Sequence, residues 1–250
     1  MNVIGTFGAV AGAYAAARPG YPAALFDALE EMAGRPLAGA LAVDVGAGTG
    51  IAARALRDRG ATVVAIEPSE GMLAELAAGS PGIRVVRGDG NALPLRDRAA
   101  DFVTYAQAWH WTDRDRAIPE FRRVLRGGGT FAAWWNLTAR DEPWQSAQER
   151  RLVAACPTYR AARSRSPGAR TGEAAVLPYG LPERRAEFEW ERRVPLDLHL
   201  ANLNSKSYVA GLGAAGASAF LAEERAILLG EFRDGVVPER YRTVLETVRV

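Results

Sequence analysis

Cysteine is nearly absent from this chain: Cys156 is the only one in 250 residues. A single thiol cannot close an intramolecular disulfide or build a cysteine-rich zinc site, and no metal site is expected. Cys156 ends the apolar run Leu152-Val153-Ala154-Ala155, the pattern of a buried helix end, where a free thiol is inert. Lysine is as scarce, with Lys206 alone among 31 basic residues; a compositional bias toward arginine accounts for it. Charge of one sign is lacking too. The net charge of +2 does not mark the chain as a partner of nucleic acid or of an anionic membrane surface. No run reaches the ~20 apolar residues of a membrane span. The small apolar residues from Val3 to Ala17 have signal-segment length, but no basic residue precedes them and Gly5, Gly8 and Gly12 interrupt them. The chain is therefore expected to be soluble, unprocessed and cytoplasmic. Its oligomeric state, monomer or homodimer, is left open.

What is present is an ordinary globular composition, 48% hydrophobic and 24% charged, enough to bury a sizeable core. Leu25, Leu29 and Met32 share one face of a helix over 21–33, with Pro22 in its first turn and Gly34 and Pro36 as stops. Short apolar runs then alternate with helical patterns. Strands are expected at Leu41–Val45, Thr62–Ile66, Ile83–Arg87, Phe102–Ala106 and Thr130–Trp135. Helices are expected at Ile51–Arg59, Gly71–Ala78 with Ser69 as a cap, Arg114–Leu125 and Glu142–Ala155. Continuous apolar strands of this kind belong to a parallel sheet covered on both faces, the doubly wound α/β class, in which ligands sit at the carboxyl ends of the strands. Residues 157–184, rich in Arg, Pro, Gly and Ser, read as a long loop. A half-buried strand is expected at Arg185–Val194, helical structure over 199–230, and a last antiparallel strand at Tyr241–Val250. The expected organisation is an N-terminal helical lid over 1–37, a core over 38–136, and a C-terminal part over 137–250 that completes the sheet and carries a helical cap.

Three strand ends carry polar motifs. Val43-Asp44-Val45-Gly46-Ala47-Gly48-Thr49-Gly50 joins a strand to a helix. Its glycines let backbone approach a ligand closely, and the helix start offers free N–H groups. The dinucleotide pattern G-x-G-x-x-G requires glycine at position 51, where this chain has Ile51. Glu67 ends the second strand, where a carboxylate can accept from both hydroxyls of a ribose. Gly88-Asp89-Gly90-Asn91 follows the third strand, and Asp89 can accept from an exocyclic amine while apolar neighbours pack on a ring. Past the fourth strand comes Gln107-Ala108-Trp109-His110-Trp111. Aromatic faces there can hold a cation and exclude water, and His110 is the candidate general base, with a structural or orienting role weighed beside it. The arginines Arg160, Arg163, Arg165, Arg170, Arg184 and Arg185 could meet an anion or form a solvated loop.

These motifs together, VDVGAGTG, IEPSEGML, GDGNALPL and DFVTYAQAWHW, resemble the class I S-adenosylmethionine (SAM)-dependent methyltransferases. Within them the chain is similar to the small-molecule branch related to trans-aconitate methyltransferase, which has a like element before the core, here Tyr14, Arg18-Pro19 and Tyr21-Pro22, and a like motif at Ser205-Lys206-Ser207-Tyr208-Val209. The resemblance implies a Rossmann-like, seven-stranded, mostly parallel sheet with helices on both faces. It implies methyl transfer to a small molecule, at a carboxylate or hydroxyl oxygen, with S-adenosylhomocysteine as the spent cofactor. Gly46, Ala47, Gly48 and Gly50 are then expected to line the methionine moiety, Glu67 the ribose, and Asp89 and Asn91 the adenine edge. Gln107 should border the methionine end, and Tyr14 and Arg18 should close over the cofactor, Arg18 pairing its carboxylate. Pro68, Met72, Gly90 and Trp109 complete the expected cofactor set. The rival readings are an NAD(P)-dependent oxidoreductase, which Ile51 disfavours, a SAM-binding protein without transferase activity, and an RNA methyltransferase, disfavoured by the near-neutral charge.

Overall fold

The computed structural model describes residues 17–139, 141–159 and 183–250. Tyr14, the 3–17 segment up to position 16, and Arg160, Arg163, Arg165 and Arg170 lie outside them.

Helix α1 spans Ala23–Ala33, with Pro22 as its N-cap and Gly34 closing it in the left-handed conformation. It is followed by β1 (Leu41–Val45), α2 (Ile51–Asp58), β2 (Thr62–Glu67), α3 (Glu70–Gly79), β3 (Arg84–Arg87) and β4 (Ala100–Ala106). A 3-10 turn at Trp109–Trp111 leads to α4 (Arg114–Val124), β5 (Leu125–Thr138) and α5 (Pro143–Ala155). Then come β6 (Glu183–Pro195), α6 (Leu196–Asn204), α7 (Ser207–Ala210), α8 (Gly213–Glu231) and β7 (Val236–Arg249). The seven strands form one sheet in the order β3-β2-β1-β4-β5-β7-β6. β1 to β5 pair in parallel, and β7 is antiparallel to both β5 and β6. This is a Rossmann-like, mostly parallel sheet.

The continuous apolar strands have the expected cause. Ala42, Phe102, Ala132 and Trp134 pack on one face of the sheet, against α1 and α2. Val43, Val103, Phe131, Ala133 and Trp135 pack on the other, against α4. With both faces covered, adjacent strand residues are all buried and the alternation of a one-sided sheet is lost. The chain order reverses between β1 and β4, and that is where a crevice opens at the carboxyl ends.

Two expectations need correction. Ser69 holds the N-cap position of α3, but its side chain makes no capping hydrogen bond; its N–H instead donates to Glu67 Oε1 at 2.9 Å. The described part of the 1–37 segment is not a detached lid. Leu25, Phe26, Leu29 and Ala33 of α1 are buried with Trp134 and Leu245 in the sheet's own core. Helices α5, α6 and α8 build a separate apolar cluster, with Trp144, Leu152, Leu200, Phe220 and Leu228, between the ends of β6 and β7.

Candidate active site

The glycine loop is held by its neighbours on both sides. The Gly46 and Ala47 N–H groups both donate to Ile66 O, at 2.8 and 3.1 Å, locking the loop to the end of β2. Gly46 has φ +67°, and a Cβ there would lie 2.6 Å from Ala108 Cβ, so the turn after β4 presses directly on it. No L side chain fits that approach. Gly48, at φ +56°, donates its N–H to Glu67 Oε2 at 2.9 Å. Glu67 thus holds the N–H groups of Gly48 and Ser69, one on each carboxylate oxygen. Burial raises its carboxyl above the ordinary range, and those two donors partly oppose the rise. Thr49 is buried, and its hydroxyl has no partner among the described residues, although the residue borders the crevice.

Asp44 lies beneath the loop with no exposed surface. Its Oδ1 accepts from Thr104 Oγ1 at 3.0 Å. Burial raises its carboxyl to about 7; Thr104 opposes, the Glu67 charge adds to the rise, and the Ala53 amide opposes again.

The crevice is a cavity of about 370 Å³, a volume typical of small-molecule sites. Gly46, Ala47, Gly48, Glu67, Pro68, Met72, Asp89, Gly90, Asn91, Gln107 and Arg18 all border it. The three strand-end loops and the Arg18 segment therefore meet in one place. Asp89 is exposed there, and its Oδ1 accepts from the Asn91 N–H at 2.6 Å. Asn91 Oδ1 in turn accepts from the Asp113 N–H at 2.8 Å, tying this loop to the start of α4. Gln107 adopts φ +58°, a strained conformation for a non-glycine residue. Its N–H donates to Trp134 O and its side-chain amide to Asn136 O. The Asn136 amide donates to Gly20 O at 2.8 Å, which holds the Arg18–Tyr21 segment against the crevice.

Three candidates lie elsewhere. Gly50 is the left-handed N-cap of α2 and is absent from the cavity wall; a Cβ there would meet Leu76 Cγ at 2.9 Å, which makes its role one of packing. Trp109 is 1% exposed, with its ring against Tyr105, Phe121 and Phe131. The 3-10 turn rotates it into the core and leaves Trp111, 51% exposed, as the tryptophan on the cavity wall. His110 is not on the wall either, and its Nδ1 accepts from Trp135 Nε1 at 3.3 Å. An imidazole nitrogen engaged in this way does not offer its lone pair as a base.

The wall also holds residues that the strand-end motifs did not single out for the site: Tyr21, Tyr105, Asn136, Thr138, Lys206 and Tyr241. Lys206 falls within a motif already noted, and Tyr21 within another. Tyr241 had no local signal, because β7 brings it to the crevice from more than a hundred residues away. His199, with no motif around it, sits in a buried network. Its Nδ1 donates to Glu239 Oε1 at 2.7 Å while Gln148 Nε2 donates to its Nε2 at 3.0 Å. Gln148 also donates to Glu224, which pairs with Arg151. Tyr241 closes the chain by donating to Glu239 Oε2 at 2.6 Å. Burial alone would raise the Glu239 carboxyl, but its hydrogen bond and charge interaction with His199, together with Tyr241 and Arg192, bring it down to about 2.

Among the described residues there is no cluster able to hold a metal ion, and no helix is long and apolar enough to cross a membrane.

Comparison with known proteins shows what this site is similar to. Residues 43–133 match the methyltransferase domain family, the stretch from within β1 into β5. Over that stretch the chain is similar to methyltransferase domains. An uncharacterized methyltransferase of Mycobacterium tuberculosis is 44% identical over 137 residues, 55% of this chain and 54% of its own length. The chain thus aligns with about half the length of that curated relative. A malonyl-[acyl-carrier protein] O-methyltransferase of Methylococcus capsulatus is 42% identical over 96 residues, 36% of this chain and 35% of its own. A solved structure described as a type II methyltransferase, from Anaeromyxobacter dehalogenans, superposes with a TM-score of 0.68 at 29% identity, covering 93% of this chain and 97% of that one. The likeness to that structure extends beyond the core to the β6–β7 region and its helices. The cofactor of this methyltransferase domain is S-adenosylmethionine.

The residues present fit that cofactor. Backbone without Cβ at Gly46 and Gly48, a buried carboxylate at Glu67 and an unpartnered hydroxyl at Thr49 all border one cavity.

Proposed function

We propose that the protein transfers a methyl group from S-adenosylmethionine to an oxygen, carboxylate or hydroxyl, of a small-molecule acceptor. The observation that carries this reading is the continuity of the cavity. It runs from Glu67 and Asp89, past the glycine loop and Gln107, to Lys206 and Tyr241 on the β7 side. A cofactor held by the first group of residues leaves the second for an acceptor. The name of the Methylococcus capsulatus relative specifies O-methylation of a malonyl group, which supports chemistry on oxygen.

When bound, the cofactor supplies an electrophilic methyl group on a sulfonium centre. The chain's own residues then orient and enclose. The Gly46–Gly48 backbone and Arg18 hold the amino-acid end of the cofactor, Glu67 its ribose hydroxyls, and Asp89, Asn91, Pro68 and Met72 its base. Gln107, held in its strained turn, sets the boundary between cofactor and acceptor. Tyr21, Trp111 and Tyr241 exclude water from the acceptor end, so that proximity and orientation supply the rate. A carboxylate acceptor needs no base, consistent with a cavity wall that carries no histidine.

Calorimetric binding of S-adenosylhomocysteine, with and without the substitution Gly48→Val, tests the cofactor site. The wild type is expected to bind. In the variant the β-branched side chain meets φ +56° and projects from the cavity wall, and binding should fall by at least ~fivefold, since left-handed backbone strain costs on the order of 1–3 kcal/mol. Normal binding by the variant places the cofactor elsewhere. Release of S-adenosylhomocysteine across a panel of carboxylic acids and phenols tests the acceptor class, and turnover of amines alone would overturn it.

A further inference from the structure

Lys206 is the only lysine in the chain, and it lines the acceptor end of the cavity. It is the N-cap residue of α7, at the junction with α6. Among the described residues no hydrogen bond or ion pair reaches its ammonium.

The charges that face it explain why. Arg18 approaches from the segment before α1, with Nη2 donating to Ser205 O at 3.0 Å. Arg192 approaches from β6 and Glu239 from β7. Glu239 is the acid among these three, and it is already engaged by His199 of α6, by Tyr241 and by Arg192. Tyr241 on β7 and Tyr208 on α7 are both pushed up, first by burial, and carry no negative charge near neutral pH. Burial pushes the Lys206 ammonium well below its ordinary range, Arg18 and Arg192 lower it further, and Glu239 opposes them. Lys206 is half-buried on the cavity wall with no counter-ion among the described residues, and an incoming anion would supply one.

Position decides which anion. Glu67 and Asp89 end β2 and β3, on one side of β1; Lys206 stands with Thr138 of β5 and Tyr241 of β7, on the other. Two carboxylates could reach it, the cofactor's own and one on the acceptor. The glycine-loop amides and Arg18 already serve the first in the reading above.

We propose that Lys206 binds a carboxylate of the methyl acceptor, so that the substrate is an organic acid held by its anionic group at the β7 end of the cavity. This rests on the methyltransferase reading, and the test separates the two. Lysine labelled with 13C at the ε-carbon yields a single lysine ε-signal in this protein, whose titration reports Lys206 directly. It is followed in the free protein, in the S-adenosylhomocysteine complex, and in that complex with succinate, glutarate or benzoate against the corresponding amides. The expected result is an upward shift of about one unit or more with at least one acid and none with its amide. In Lys206→Met, calorimetry should show cofactor binding unchanged and acid binding lost; Lys206→Arg should restore acid binding. The proposal is overturned if S-adenosylhomocysteine alone produces the whole shift, which assigns the lysine to the cofactor, or if no acid moves the signal. If S-adenosylhomocysteine does not bind at all, the methyltransferase reading fails instead.

Discussion

Asp44→Asn perturbs the one carboxyl that the fold places wholly inside the protein directly beneath the glycine loop. Asp44 titrates near 7 in the folded chain against an ordinary 3.8. Between those values the folded chain holds a proton that the unfolded chain has lost. The associated stability is therefore fully present below about pH 4 and is lost as the pH rises through about 7. A shift of about three units corresponds to on the order of 4 kcal/mol, of which roughly 2–3 kcal/mol falls between about pH 5 and 8. Asparagine keeps an oxygen for the Thr104 hydroxyl (3.0 Å in the wild type) but does not titrate. Its amide takes the place of Oδ2, which has no hydrogen-bond partner among the described residues, and a buried donor left unpaired there costs about 1–3 kcal/mol at every pH. The readout is accordingly the slope and not the offset. Urea unfolding of both proteins from about pH 5 to about pH 8 should show the wild type losing roughly 2–3 kcal/mol relative to Asp44→Asn as the pH rises. Parallel profiles, with a difference constant across that range, would refute the reasoning and mean that water or relaxation keeps Asp44 charged.

The remaining predictions concern the residues beyond β4 and the network under Tyr241. Trp109→Ala should cost about 3–5 kcal/mol of stability, the range for a large core aromatic, whereas Trp111→Ala should stay within about 0.5 kcal/mol and weaken acceptor binding; thermal unfolding and ligand calorimetry separate the two. His110→Gln should leave S-adenosylhomocysteine binding and turnover within about twofold, because its ring does not reach the cavity wall; a loss of ~10²-fold in turnover with intact binding would restore it as a base. Glu239→Gln removes the acceptor shared by His199, Tyr241 and Arg192 and should cost about 3–5 kcal/mol. In the wild type the depressed Glu239 stabilises above its ordinary 4.5, a contribution that falls away as the pH drops toward about 2; the variant should lack that acid-side slope in denaturant titrations.

Much of the proposed cofactor half of the site was legible from residue order. Gly46 to Gly48, Glu67 and Asp89 each follow an apolar run by a fixed short step, and a parallel sheet gathers the ends of such runs on one edge. Local reading failed where a side chain's direction depends on one turn of backbone. Trp109, His110 and Trp111 are adjacent and chemically similar, yet the 3-10 turn sends the first into the core, the second toward Trp135 and the third to the cavity. Gly50 carried the right residue type for close approach, but its neighbours are Leu76 and Arg54. The helix at Ala23–Ala33 fell within the expected 1–37 lid, but its apolar face belongs to the sheet.

The sequence alone determined the fold class, the family likeness and the strand-end loops of the proposed cofactor site, because those depend on periodicity and on short loops whose geometry is local. Only the tertiary structure brought together the residues of the proposed acceptor end. Lys206, Tyr241, Asn136 and Tyr21 come from four separate parts of the chain and meet on one cavity wall, with β7 inserted antiparallel beside β5. Whether the lysine there has a counter-ion depends on Glu239 being taken by His199, Tyr241 and Arg192, a long-range arrangement of charges that no spacing along the chain records.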